Sequence, residues 1–465
     1  MFPVTRDHRE VNSIDPAFFA EATNVVGANH VLMDADVVAG YTSDWTGRFT
    51  GTSPAVIRPG TTDEVEALVA LCRRHGVALA LQGGNTGLSG GTVPLGGEVV
   101  CSLRRLTSLE LDPVSGQASV GAGVVLSDLQ AAAEAAGWAY GVDFASRGSA
   151  TLGGSVATNA GGMRVLRYGD TRAQLLGLTA VLGTGHVVSH MSGLIKDNTG
   201  YFLPGILCGS EGTLGVVTAV RLRLVPRAPE RVVALLAFGD AAGAIEAAST
   251  LRRQLRTLSA AELFFQPGMD LVRAHIGLAA PFGGTHGAYL LVEASDDRDP
   301  TADLSLAVDS LHGVAAVAVA ADPVRAAELW RYREGHTDAI NHHGTPHKLD
   351  VSLPTAVLAD FVERVPGVVA SVSSGAEVWL FGHAADGNVH VNVTGIPPDD
   401  DTVDDAVFKL AAAMGGSVSA EHGIGTAKRR WLHLNRTEDE VAAFGVLKAA
   451  LDPDGVLNPS VLLGG

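Results

Sequence analysis

The chain is poor in cysteine, in charge and in long apolar runs, and each shortage narrows what it can be. Only three cysteines occur in 465 residues, Cys72, Cys101 and Cys208, far apart and odd in number. They give no disulfide framework and no Cys-x-x-Cys metal site, and they suit a reducing cytoplasm. Charged residues make up 18% against 46% hydrophobic, which excludes a disordered chain. Basic residues are outnumbered 33 to 50, for a formal net charge of −17. That balance argues against nucleic acid or an anionic membrane surface as a general partner. No stretch approaches the ~18 uninterrupted apolar residues of a membrane span. The opening MFPVTRDHREVN lacks the apolar core of a signal peptide. A cytoplasmic protein is expected, with peripheral membrane contact left open. Also missing are the G-x-G-x-x-G fingerprint and the Lys-Ser/Thr ending of a nucleotide-triphosphate loop. Gly121-Ala122-Gly123 follows a strand-like run but lacks the third glycine, so no nicotinamide site is expected.

Glycine, by contrast, is abundant, with 56 residues clustered in short runs. Such runs suit a backbone that approaches a ligand closely. Residues 1–50 read as a helical lead-in without nameable chemistry. AVIRPG then reads as a strand, and Thr61 or Thr62 can cap a helix with Asp63 and Glu64 in its first turn. Val65, Leu68, Val69 and Cys72 fall on one face of that helix, and VALALQ follows as a buried strand. This strand runs into GGNTGLSGGTVP, residues 83–94, whose N–H groups could wrap a pyrophosphate; a flexible turn is the alternative. RGSATLGGSVATNAGG, residues 147–162, carries so little side chain that a flat ligand could lie against it, unless helices pack there. GSEGTLG turns into the strand VVTAVRLRLVP, closed by Pro226. From about Glu230, strand-like runs (RVVALLAF, AYLLVEA, VAAVAVAA) alternate with helical ones, as in an antiparallel sheet covered by helices.

The chemistry concentrates between Ser371 and Lys428. VWLFGH and VHVNV read as the two strands of a hairpin joined by AADGN. The period of two puts His390 and Asn392 on one face and the valines on the other, with His383 across the turn. Two imidazoles and the carboxylate of Glu421 make a three-ligand metal site with an open position, zinc first, iron or manganese behind. The alternative is that both histidines pack in the core. Glu421 and His422 are adjacent and would face opposite ways on a regular strand, so serving one pocket requires the irregular backbone that Gly423 and Gly425 permit. Arg333 and Thr337 lie at i, i+4 on one helix face, and Lys348 sits on the next strand. Two cations approaching one pocket could hold a carboxylate; solvated surface charge is the alternative.

Taken together, GGNTGLSGG, LGGSVATNAGG and GSEGTLG, in this order and spacing, resemble the FAD-binding domain of the vanillyl-alcohol-oxidase type. The resemblance implies an α+β fold with FAD extended between two subdomains. It implies flavin contacts at Gly83, Gly84, Asn85, Thr86, Gly87, Gly91 and Thr92, at Ser149, Gly154, Thr158, Asn159 and Gly162, and at Glu211, Gly212 and Val217. ALDPDGVLNPS resembles the family's returning segment and adds Asn458, with Ser460 where a glycine is usual. The first loop has no histidine, so non-covalent FAD is expected. W-x-x-R-E from Trp330, H-x-x-D-G-N-x-H-x-N from His383 and E-H-G-I-G from Glu421 resemble the FAD-linked dehydrogenases of D-2-hydroxy acids, and K-L-D-V-S-L-P from Lys348 the D-2-hydroxyglutarate branch.

That resemblance implies His383, His390 and Glu421 as metal ligands and His422 as catalytic base. It implies Arg333, Thr337, Lys348, Asn392 and His422 as substrate contacts. The expected plan is a lead-in over 1–50, an FAD-binding domain over 51–228, a substrate domain with the metal site over 229–440, and a flavin-contacting segment over 441–465. The expected reaction is oxidation of a D-2-hydroxy acid, D-2-hydroxyglutarate ahead of D-malate or D-lactate, with hydride passing to the flavin. The electron acceptor is left open among an electron-transfer flavoprotein, a quinone and a cytochrome, and a homodimer is an open possibility. A glycolate- or D-lactate-oxidising subunit of a larger complex, and a sugar or alcohol oxidase on the same scaffold, are the alternatives.

Overall fold

A computed structural model describes residues 14–463. Its first half follows the local signals closely. Thr61 caps the helix Thr62–His75 by accepting the Glu64 N–H, and Gly76 ends it in the left-handed conformation at φ 63°. Val65, Leu68, Val69 and Cys72 are buried as the spacing requires. The helix links two members of a four-stranded sheet ordered Val31–Leu32, Val56–Ile57, Val99–Ser102, Leu79–Gln82. The first strand comes from the lead-in, so residues 31–32 are built into this layer and do not merely precede it. A second sheet has five antiparallel strands, with Gly215–Arg223 at its centre between Gln117–Gly121 and Leu175–Leu182. Leu175–Leu182 and Val187–His190 form a hairpin.

The second half is one antiparallel sheet of seven strands. Its order is Val314–Ala320, Glu230–Phe238, Ala288–Asp296, Leu258–Phe265, Glu377–His383, Asn388–Thr394, His347–Ser352. Alternation divides its faces cleanly at the last four strands. Ala261, Leu263, Leu380, Val389, Val391, Val393, Leu349 and Val351 enter the largest apolar core, packed against the helices Ala241–Gln254, Thr355–Val372 and Thr402–Ala413. The opposite face carries Glu262, His383, His390, Asn392, Lys348 and Asp350. A register slip of one residue would bury every one of these polar groups in the wrong layer, so the apolar core fixes the site.

The chain end returns to the first sheet. Leu457 bridges Leu79 in parallel, the Leu79 N–H donates to Val456 and the Asn458 N–H to the Leu79 carbonyl. Asp452 steadies this return by accepting the N–H groups of Val456 and Leu457.

Candidate active site

The three glycine-rich segments meet in one cleft. Gly83, Gly87, Gly91, Thr92, Gly154, Thr158, Glu211, Gly212, Val217 and Asn458 line it, together with Gln82, Thr151 and His422. A Cβ on Gly87 would meet nothing within 4 Å, and one on Gly91 nothing closer than 3.6 Å, so these two glycines border open space. At Gly83 and Gly84 a Cβ would lie 2.2 Å from Thr151 Oγ1 and 2.1 Å from the Ser149 carbonyl. Those two glycines let the first loop touch the second. A second cavity shares Thr151 with the cleft and adds Arg104, Asp128 and Ser149.

Not every expected flavin contact lines the cleft. Gly84, Asn85, Thr86, Asn159 and Gly162 lie outside its lining, and Ser149 lines the second cavity instead. Asn85 is committed within the protein: its amide donates to the Ser43 carbonyl and its Oδ1 accepts from Thr92. Asn159 caps a helix end at φ 51° and bonds Asp170 and Arg172. The Gly162 N–H donates to Glu421 Oε1 at 2.6 Å. This glycine therefore orients a proposed metal ligand from the opposite half of the chain.

Strand register builds the second part of the site. Asn392 pairs with both Lys348 and Trp379, His390 with Asp350 and Phe381, and His383 with Asn388 and Glu262. His383 Nδ1 lies 2.6 Å from Glu262 Oε1, and His390 Nδ1 lies 3.3 Å from Asp350 Oδ1. Both outer ring nitrogens thus face carboxylates. Their Nε2 atoms converge on Glu421 Oε2, at 3.8 Å and 4.0 Å. Two Nε2 lone pairs and a carboxylate oxygen at such separations are a fitting donor set for a divalent cation, and the outer carboxylates supply the usual tautomer control. A second grouping, Asp350, His390, Glu421 and His422, also brings donor atoms within 4.8 Å of one another. Asp350 is the poorer ligand. It already accepts the N–H groups of Ala420, Glu421 and His422 and the Asn388 amide. It acts better as the post on which the loop is hung.

The loop bearing Glu421 and His422 has the irregular backbone expected of it, with φ 73° at Gly423 and 54° at Gly425. Both halves of the chain grip it. Glu211 accepts the N–H groups of Ile424 and Gly425, and Ser89 donates to the His422 carbonyl while accepting from Thr426 and Ala427. His422 stacks on His390 with centroids 5.6 Å apart. Burial, with His390 and Lys428 beside it and only partly offset by Asp350, pushes its pKa down to about 4. The imidazole is therefore neutral near pH 7 and free to take a proton. His336 and His347 are core histidines by contrast: His336 packs against Phe264 and Phe381, and His347 lies between Asp404 and the Pro397 carbonyl.

The two expected substrate cations differ. Arg333 lies in the last turn of the helix Pro323–Glu334 and Thr337 in the first turn of the next, His336–His343, so a break at Gly335 divides the single helix expected to carry both. Its Nε lies 2.7 Å from Glu262 Oε2, outside hydrogen-bond alignment, and its guanidinium sits over Phe381 at 4.5 Å. Arg333 is thus already partly neutralised. Lys348 is not. Its ammonium reaches only Asn392 Oδ1 at 3.3 Å and the Trp45 ring, with no carboxylate partner among the described residues. Glu262, Asp350, Ser89 and Trp45 were missing from the expected site. Asp350 stood inside K-L-D-V-S-L-P, and Glu262 is the one ionisable residue in LSAAELFF, a signal visible once that run is read as a strand.

Residues 53–190 match the model of an FAD binding domain, and residues 227–462 match the C-terminal domain of FAD linked oxidases. The D-2-hydroxyglutarate dehydrogenase of Xanthomonas citri pv. viticola is 38% identical over 437 residues, 91% of this chain and 92% of that protein. The mitochondrial D-2-hydroxyglutarate dehydrogenase of Danio rerio is 36% identical, over 92% of this chain and 82% of its own. The fold is that of p-cresol methylhydroxylase, with a TM-score of 0.79 at 16% identity and 96% of each chain covered. Alkyldihydroxyacetonephosphate synthase shares it at a TM-score of 0.75 and 17% identity, over 96% of this chain and 84% of that one. With its FAD-binding half, its oxidase half and relatives matched across nearly the whole length, the chain belongs to the FAD-linked D-2-hydroxyacid dehydrogenases of the vanillyl-alcohol-oxidase type.

Proposed function

We propose that this protein oxidises a D-2-hydroxy dicarboxylate, D-2-hydroxyglutarate ahead of D-malate, to the 2-oxo acid. The observation that carries the choice of substrate is Lys348, a half-buried cation with no carboxylate partner among the described residues. It pairs in register with Asn392, two residues along the strand from His390, roughly 7 Å. A second carboxylate at that distance from the metal ligands would give the ammonium a partner. A methyl group there would leave the half-buried charge without an anionic partner, at a cost of about 1–3 kcal/mol.

His383, His390 and Glu421 would hold a divalent cation, zinc first and iron or manganese next. Bound there, the cation would take the hydroxyl and one oxygen of the C1 carboxylate and make the hydroxyl more acidic. FAD, held non-covalently, supplies the acceptor for the hydride that leaves C2. His422 takes the hydroxyl proton at Nε2, the ring nitrogen turned away from Asp350. Asn392 and Lys348 would hold the far carboxylate, Arg333 and Thr337 would serve as further substrate contacts, and the Asp350, Glu211 and Ser89 contacts keep His422 from drifting. Electrons then pass to an acceptor outside the chain, an electron-transfer flavoprotein, a quinone or a cytochrome. Three free, buried thiols suit a reducing compartment such as the cytoplasm.

Anaerobic mixing with D-2-hydroxyglutarate, D-malate, D-lactate, L-lactate and glycolate tests this directly. Flavin absorbance should bleach fastest with D-2-hydroxyglutarate and not with L-lactate. A wild type that prefers D-lactate outright would defeat the dicarboxylate assignment and leave the oxidation chemistry standing.

A further inference from the structure

The lead-in segment, which had no chemistry in the sequence, supplies a residue to the far end of the pocket. Residues 43–50 fold into a tight loop in which Asp44 accepts from the Thr46 hydroxyl and the Phe49 N–H. Two anchors fix it. On one side Asn85 donates to the Ser43 carbonyl, and Phe49 lies against Gly90 of the glycine loop. On the other, Arg48 pairs with Asp401 and with buried Asp404, whose second oxygen holds His347, the neighbour of Lys348. The loop is thereby clamped across both halves of the chain. Trp45 projects from it with its ring centre 5.8 Å from Lys348 Nζ. A large apolar side chain left 52% exposed on a doubly anchored loop has no packing role to explain it.

We propose that Trp45 is a specificity-determining residue whose indole roofs the Lys348 ammonium and closes the distal end of the substrate pocket against water. This rests on Lys348 being the ligand of the distal carboxylate. The ring face stabilises the ammonium by cation–π attraction, and its bulk keeps solvent from competing with the carboxylate.

Two readouts on holoenzyme carrying Trp45→Ala or Trp45→Phe decide the matter. Trp45→Ala should raise the D-2-hydroxyglutarate concentration that half-saturates flavin reduction by roughly 5- to 30-fold, with a smaller effect on the limiting rate. Trp45→Phe should keep most of the binding. Independently of any substrate, acylation of Lys348 by acetic anhydride, followed by peptide mass spectrometry, should be several-fold faster in Trp45→Ala than in wild type. Equal labelling overturns the roof, whatever the substrate proves to be. Faster labelling with unchanged half-saturation overturns the role in specificity. Faster labelling in an enzyme whose wild type is not reduced by D-2-hydroxyglutarate supports the roof and counts against the dicarboxylate assignment alone.

Discussion

At the scale of single residues, two charges bear on the proposed site in opposite ways. Burial pushes the Lys348 pKa down to about 8, so its ammonium is complete below that pH and is lost as pH rises through it. The half-saturating concentration of a dicarboxylate should therefore climb above about pH 8, and that of D-lactate much less; parallel profiles would show that Lys348 does not face the distal group. Lys348→Met should lower kcat/KM for D-2-hydroxyglutarate by roughly tenfold or more, about 1.4 kcal/mol, and change D-lactate turnover far less. Equal losses would put Lys348 at the common C1 end or in the service of the fold. Glu262 is the second case, fully buried between His383 and Arg333. Glu262→Gln should weaken zinc binding 10- to 100-fold, measured by competition with a chromophoric chelator. Affinity equal to wild type would mean that His383 needs no such partner. Neither role could be read from the residue alone. A glutamate among alanines and phenylalanines becomes informative only when strand register sets it opposite a particular histidine.

At the scale of elements, local pattern sufficed wherever function depends on period. The hairpin over 377–394 and the face shared by His390 and Asn392 were legible because alternation is a property of neighbours. The same holds for the helix Thr62–His75. The loop over 419–428 was legible only in part. Its glycines announced an irregular backbone, but its partners Glu211, Ser89 and Asp350 lie about 70 to more than 330 positions away in sequence, and no local signal encodes them. Gly425 shows how tightly it is held: φ is 54°, and a Cβ would lie 2.1 Å from the Ser89 carbonyl. Gly425→Ala should strain the loop by about 1–3 kcal/mol and shift His422. Flavin reduction should then slow at least tenfold while the purified protein keeps its FAD. Unimpaired reduction would show that the loop can relax without moving the base.

At the scale of the whole molecule, the proposed metal ligands are oriented from both halves. Glu421 is directed by the Gly162 N–H of the FAD-binding half, while His383 and His390 belong to the large sheet. A cation held there would staple the halves, so chelation should lower the melting temperature of the holoenzyme; for a His390→Ala variant, chelator should make no difference. The FAD should leave the polypeptide on acid denaturation, since the first loop offers no histidine for a covalent link; yellow colour remaining in the precipitate would contradict this. The return of residues 452–461 to the first sheet has a further consequence for biosynthesis. Asn458 donates to the Glu211 carbonyl, 247 positions earlier, and accepts the Leu81 N–H, 377 positions earlier, closing one wall of the cleft with a late segment. A nascent chain can form the earlier strands and helices, yet it has no finished cofactor pocket until Asn458 has emerged. Flavin capture therefore waits on residues 452–461, and a chain cut before Asn458 would be colourless.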